Sequence, residues 1–226
     1  MSGVDPPSFS AGLFKFLREL KANNQRDWFQ ANKARYEQDV KEPALAFIED
    51  MGYRLAEVAP HLVADKKSLF RIYRDTRFAK DKTPYKTHLG IYLRHARAAE
   101  AETAGLYLHL EPGHVFLGAG IWHPQSPALK RIRDAIVAQP QEWREAKVAG
   151  DPDWRLADGE ALKRPPTGYP ADHPLIEDLK RKSFAIVSPL TQKDATSRGF
   201  LDECVQRAHA ARPAMAFISG ALGVEY

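Results

Sequence analysis

The residues best equipped for chemistry lie between Arg71 and Lys86, "RIYRDTRFAKDKTPYK". Those sixteen positions hold six cations, two aspartates and three aromatic rings. Arginine forks match planar or tetrahedral oxyanions, and lysines add compact charge beside them. In the loop after Tyr73, Arg77, Lys80, Lys82 and Lys86 would be presented together, and Pro84 stiffens that presentation by restricting Thr83 to extended geometry. Phe78 and Tyr85 add flat surfaces on which a base or a sugar could stack. The charge is local. Between Lys66 and Arg97 ten cations stand against two acids, Asp75 and Asp81, while the whole chain carries only +4. Such an excess speaks of anionic partners and not of fold.

The helices and strands around this stretch follow from periodicity. Phe9, Leu13, Phe16, Leu17 and Leu20 have helical spacing behind a cap at Ser8 or Ser10. A second helix is expected from near Asn24, and a third is opened by Pro43 and runs to about Val58. From Ser68 the period becomes two. Four strands are expected in antiparallel meander order, at about 68–76, 88–94, 105–110 and 115–122, with a fifth in "SFAIVSPL". Pro112-Gly113 suits a two-residue hairpin poorly, so Glu111 to His114 reads as a four-residue loop closed by Leu110 and Val115. That register puts Leu110 opposite Val115, Leu108 opposite Leu117 and Leu106 opposite Ala119 on an apolar face. The other face pairs His109 with Phe116, Tyr107 with Gly118 and Gly105 with Gly120, a shallow floor walled by aromatics. A helix capped by Ser126 follows, then a Pro-, Gly- and Asp-rich segment, 149–174, that reads as a lid, a wrap or disorder. Helices at about 198–211 and 213–222 finish the chain. The fold class is α+β: an antiparallel meander sheet of four to five strands, with helices before and after it in sequence. One domain is expected over residues 1–226, with N-terminal helices at about 9–58, the sheet at about 68–122 and a C-terminal helical part.

Within a strand at 68–76, Arg71, Tyr73 and Asp75 would point one way and Ile72 and Arg74 the other, so an arginine is partly covered and needs Asp75 or Asp81 as its partner. Other candidates are weaker. His109, Glu111, His114 and His123 gather around one hairpin and are chemically able to bind zinc, but they lack a ligand spacing, so no metal is expected. "GAGIW" lies in a strand with no helix behind it, which excludes a dinucleotide fingerprint, and no cofactor is expected. Trp28 and Trp122 read as core residues. Cys204 and His209 are five apart on a helix and do not face each other as a nucleophilic pair. A single cysteine, no run of eighteen apolar residues and an N-terminus without basic and apolar signal regions suit a cytoplasmic protein with no membrane partner.

Two blocks carry a resemblance. Leu17, Leu20, Asn23, Asn24, Trp28, Phe29, Asn32, Lys33 and Tyr36, followed by "RIYRDTRFAKDKTPYKTH", are similar to a family of conserved hypothetical proteins, domain of unknown function 2461, found mainly in bacteria. "GLYLHLEPG…FLGAGIW.P" and "RPP.GY…HP" extend the resemblance over nearly the whole chain. It implies a cytoplasmic protein of about this length, without an assigned activity, cofactor or catalytic residue. Taken with the residues, it suggests that the "NN" turn, the charged loop and the "GAGIW" strand converge at one end of the sheet. In that cleft Arg71, Arg74, Arg77, Lys82 and Lys86 hold a phosphate-bearing or otherwise anionic small molecule, and Trp122, Tyr107 or Tyr85 covers its apolar part. Asp75 and Asp81 orient the cations or act as general acid or base. The alternatives are a nucleic-acid surface, in which basic residues alternate with stacking rings, and a structural or adaptor protein with internal ion pairs. Oligomeric state is not legible.

Overall fold

The computed structural model describes residues 8–148 and 153–226. Helix α1, Ala11–Ala22, starts at Ser10, whose hydroxyl accepts from Gly12 N at 3.1 Å. Its apolar spacing buries Leu13, Phe14, Phe16, Leu17 and Leu20. Two short helices follow, α2 (Arg26–Ala31) and α3 (Lys33–Tyr36). The chain does not break before Pro43. It runs through a π turn, Glu37–Lys41, directly into α4, Glu42–Leu55. Proline lacks the N–H an α ladder demands, and the wider turn absorbs the defect, with Glu42 N–H reaching back to Glu37 O.

Among the described residues the sheet has six antiparallel strands: β1 (Leu62–Val63), β2 (Leu89–His95), β3 (Gly105–Glu111), β4 (His114–Ile121), β5 (Arg155–Leu156) and β6 (Phe184–Leu190). Their order is β1-β2-β3-β4-β6-β5. The three cross-strand pairs expected on each face of the β3–β4 hairpin are all present. The loop is shorter than expected, because Glu111 pairs with His114 and leaves Pro112-Gly113 as a two-residue turn. Gly113 at φ +83° supplies the left-handed position that this turn needs after Pro112.

The expected strand at 68–76 is a correction. After a 3-10 turn, Lys66–Ser68, the chain touches β2 through one bridge, Leu69 to Ile91, and then lifts away. It returns as an irregular hairpin bridged only at Tyr73 and Tyr85, with Arg74 N donating to Pro84 O and Lys86 N to Ile72 O. Pro84 has no N–H to return, so a regular ladder cannot extend. Asn24 pins this hairpin from α2's approach. Its amide donates to Tyr85 O at 3.0 Å and accepts from Tyr85 N at 3.1 Å.

Helices α5 (Ser126–Ala138) and α6 (Pro140–Ala146) follow β4. Ser126 is the first helical residue and not the cap; Gln125 holds that place without a side-chain bond. The 153–174 part of the loose segment is a wrap: Trp154 is buried, β5 pairs with β6, and Leu162 N donates to Lys180 O. Residues 149–152 lie outside the described residues. Short α7 (Ile176–Leu179) precedes β6, short α8 (Gln192–Ala195) follows it, and α9 (Phe200–Ala210) and α10 (Arg212–Leu222) close the chain, the last ending at Gly223 with φ +75°. Among the described residues no helix is long and apolar enough to cross a membrane.

One sheet face carries Leu89, Ile91, Leu93, Leu106, Leu108, Leu110, Val115 and Leu117, all buried. At ~1.5–3 kcal/mol for each such side chain, this face supplies much of the drive to fold. Between it, Phe47 and Met51 of α4 and Cys204 of α9 there is only a void of about 10 Å³, too small for a ligand. Cys204 is a core residue whose thiol burial pushes far up, away from nucleophilic use.

Asp65 ties the entry of the 68–86 excursion to the sheet. It caps the 3-10 turn through Lys67 N at 2.8 Å and takes Arg94 Nη1 at 3.0 Å. Arg94, and then the Lys67 amide, outweigh partial burial and hold this carboxyl down at about 2. A carboxyl depressed in the folded state adds stability above its ordinary value near 4, and that stability is lost as pH falls through about 2. Wild type is therefore expected to lose more stability than Asp65→Asn between pH 5 and 2. The difference, read from urea midpoints, should stay below ~1 kcal/mol because the pair is solvent-screened.

Candidate functional site

The charged stretch divides into two groups. In the loop, Arg77 grips Asp75 with Nε at 3.0 Å and Nη2 at 2.7 Å, and Arg74 binds Asp81 and the Thr83 hydroxyl. Arg74 is thus the partly covered arginine, and Asp81 is its partner. The Thr83 amide and then Arg74 hold the Asp81 carboxyl at about 2, and Arg77 lowers Asp75, so both stay ionised and committed. Lys82 donates to Thr76 O at 2.9 Å, Lys80 is exposed, and Phe78 stands almost wholly in solvent. These side chains form a self-paired, exposed loop.

Arg71 and Lys86 belong elsewhere. Among the described residues neither has a carboxylate within ion-pair distance. Lys86 Nζ donates to Arg71 O at 2.9 Å and lies 5.1 Å above the ring of Phe70. Burial, and then the Arg71 charge, lower the Lys86 pKa. Phe70 N donates to Gly90 O at 2.9 Å, which sets its ring on the second face of the sheet, 5.7 Å from Tyr107 and 6.3 Å from Tyr92.

That second face is the aromatic floor. Alternation places Gly90 and Tyr92 of β2 beside Tyr107 and His109 of β3 and Phe116 and Gly118 of β4. Its glycines are spaces that rings occupy: Tyr92 lies over Gly105, and Tyr107 and Phe70 over Gly90. Tyr92, Tyr107 and Phe116 are half-buried, and Phe70 is exposed. Burial, and then Glu111, push the Tyr107 hydroxyl up to about 12, so it remains a donor across neutral pH.

At the β3–β4 turn the floor ends in a histidine cluster. His109 stacks on Phe116 at 4.9 Å, lies 4.6 Å from the ring of His88 and 5.2 Å from that of His114. Tyr107 Oη sits 3.0 Å from His109 Nδ1. Burial, and then His88, press His109 down to about 4; burial also lowers His88.

Of the residues read from sequence, Lys86 and Tyr107 both border Phe70 on the floor, and Arg71 adjoins Lys86 through its carbonyl oxygen. Tyr85 is buried, stacked on Phe29 at 4.2 Å, and offers no open surface. Trp122 is exposed, against the core role expected for it, and stands beside Gly159. It lies at the far end of β4 from His114, roughly 25 Å along the strand, so the "GAGIW" end does not converge with the charged loop. Trp28 does pack on the core, 5.7 Å from Phe16. His123 is at that far end too, separated from His109 and Glu111. The residues missed were Phe70, Tyr92 and His88. The β2–β3 register, Leu89 to Leu110, brings Tyr92 and His88 to the Tyr107 face, whereas Phe70 reaches it through the Leu69–Ile91 bridge and its bond to Gly90 O.

No curated protein and no solved structure matches the chain. A family profile described as a conserved hypothetical protein (DUF2461) matches residues 12–217, a span holding both the paired loop and the floor. The chain belongs to the DUF2461 family.

Proposed function

We propose that the protein binds an anionic small molecule carrying a flat group, with Lys86 and Arg71 holding the anion and Phe70, Tyr92 and Tyr107 receiving the ring. The supporting observation is the contrast between two sets of cations. Arg74 and Arg77 already hold Asp81 and Asp75, whereas Lys86 and Arg71 lie close enough for their charges to interact and form no ion pair among the described residues, Lys86 standing over Phe70 at the rim of a half-exposed aromatic surface. Two cations so placed repel each other, and a bound anion relieves that cost. A phosphate ester with a base or sugar fits both halves of this surface. The reading carries no catalytic assignment. Its setting is a reducing cytoplasm, supported by one buried thiol.

A thermal-shift screen in chelator with phosphate, nucleotides, sugar phosphates and short oligonucleotides tests it. A ligand at a hundred times its Kd should stabilise by ~2.7 kcal/mol. Lys86→Ala is expected to abolish the shift with little change in the free protein's Tm, and Arg77→Ala to keep it. A flat response to every ligand, or an undiminished shift in Lys86→Ala, contradicts the reading. Response to oligonucleotides alone, with steep salt dependence, would move the function to nucleic acid.

A further inference from the structure

We propose that His88, His109 and Glu111 form a binding site for a first-row divalent cation, zinc foremost, at the turn end of the aromatic floor. One ligand atom from each lies within 4.8 Å of the others. His109 Nε2 and Glu111 Oε2 are already 3.5 Å apart. Two ligands about 2.1 Å from a tetrahedral ion stand ~3.4 Å apart, so that edge needs no movement, and His88 has its ligand atom within 4.8 Å of both.

The second observation is an under-satisfied atom. His109 is buried, and its Nε2 meets only Glu111 Oε2, in a long contact of 3.5 Å, with no well-formed hydrogen bond. Buried polar atoms are nearly always paired, and an exception calls for a cause. Trp154 Nε1 and Ser219 Oγ also have no hydrogen bond, but only His109 Nε2 faces other groups able to ligate. Its ring is already oriented as a ligand. When Nδ1–H donates to Tyr107 Oη, the lone pair of Nε2 points into the cluster.

The carboxylate is prepared in the same way. Thr87 Oγ1 donates to Glu111 Oε1 at 3.2 Å, and Lys21 Nζ lies 3.6 Å from the same oxygen. Oε1 is thereby held from behind while Oε2 faces His109. Outer contacts of this kind orient the ligands of real metal centres. Two imidazoles and one carboxylate suit zinc and its first-row neighbours better than magnesium or calcium, which prefer oxygen. Three protein ligands leave a fourth position for water or a ligand. The cation site stands independently of the anion reading, whose screen is run in chelator.

The test uses the full chain, stripped with chelator, titrated near neutral pH with zinc by calorimetry and with cobalt(II) by visible absorption. The expected result is one zinc per chain and the intense d–d bands of a four-coordinate cobalt site, with no response to magnesium. His88→Ala and Glu111→Gln, both at partly exposed positions and checked for unchanged circular dichroism, should each weaken zinc by ~100-fold or more. Tyr107→Phe, which removes only the outer contact, should weaken it by ~10–100-fold. His114→Ala should bind as wild type. No saturable zinc binding, or binding that survives in Glu111→Gln and disappears in His114→Ala, overturns the proposal.

Discussion

Gly120→Ala is expected to destabilise the protein by about 3 kcal/mol or more, while Gly118→Ala two residues earlier costs less than about 1. Both lie in β4 and both pair with β6. Gly120 has φ +131°, a region that side-chain-bearing residues rarely enter, at ~1–3 kcal/mol of strain. A Cβ there would fall 2.7 Å from Ala185 Cα and closer still to the Phe184 carbonyl oxygen. These are backbone atoms of the paired strand, so relief means opening the β4–β6 ladder, and overpacking of this kind adds ~1–3 kcal/mol. At Gly118 the nearest atoms are 3.7 Å away, an ordinary contact. Urea unfolding of both variants checks the pair. Equal, small losses would mean that the two strands are not pressed together at Gly120.

Asp178→Ala is the second large effect, at ~2–4 kcal/mol, or a fall in Tm of roughly 6–12 °C for a chain of this length. Trp143 is fully buried, and its Nε1 donates to Asp178 Oδ2 at 2.9 Å; Lys147 Nζ reaches the same oxygen at 2.8 Å. Alanine strands the indole N–H in the core and leaves the lysine without its counter-ion. The damage spreads because Trp143 packs on Phe184 of β6 and Phe217 of α10, tying α6 to both. Asp178→Asn keeps an acceptor for the indole and should cost about half as much. Differential scanning calorimetry of the three proteins reads the order wild type, Asn, Ala. Asn as damaging as Ala would show that the ion pair, and not the indole bond, carries the corner.

The hairpin was legible because alternation and Pro112-Gly113 constrain its register, and every pair expected from Gly105–Gly120 to Leu110–Val115 is in place. The 68–76 stretch alternates as cleanly yet is no strand. What decides is the partner: Pro84 cannot return a hydrogen bond, and the local pairs Asp75–Arg77 and Arg74–Asp81 settle the loop on itself. Those pairs also explain why the cation excess overstated the site. Within 71–86, Arg74, Arg77 and Lys82 are spent on Asp81, Asp75 and the Thr76 carbonyl, all close in sequence. Phe70 and His88 flank regular elements without belonging to one. Their place on the floor depends on long-range pairing with Gly90 and on the β2–β3 register, which local patterns do not carry.

The proposed working surface is the aromatic side of the sheet and not the charged loop beside it. Amide chemical-shift mapping of the isotope-labelled protein, titrated with the best phosphate ligand from the screen, tests this directly. Shifts are expected to concentrate in 70–71, 86–92 and 105–109, with 74–83 quiet. Shifts confined to 74–83, or to the Trp122 end of β4, would contradict it.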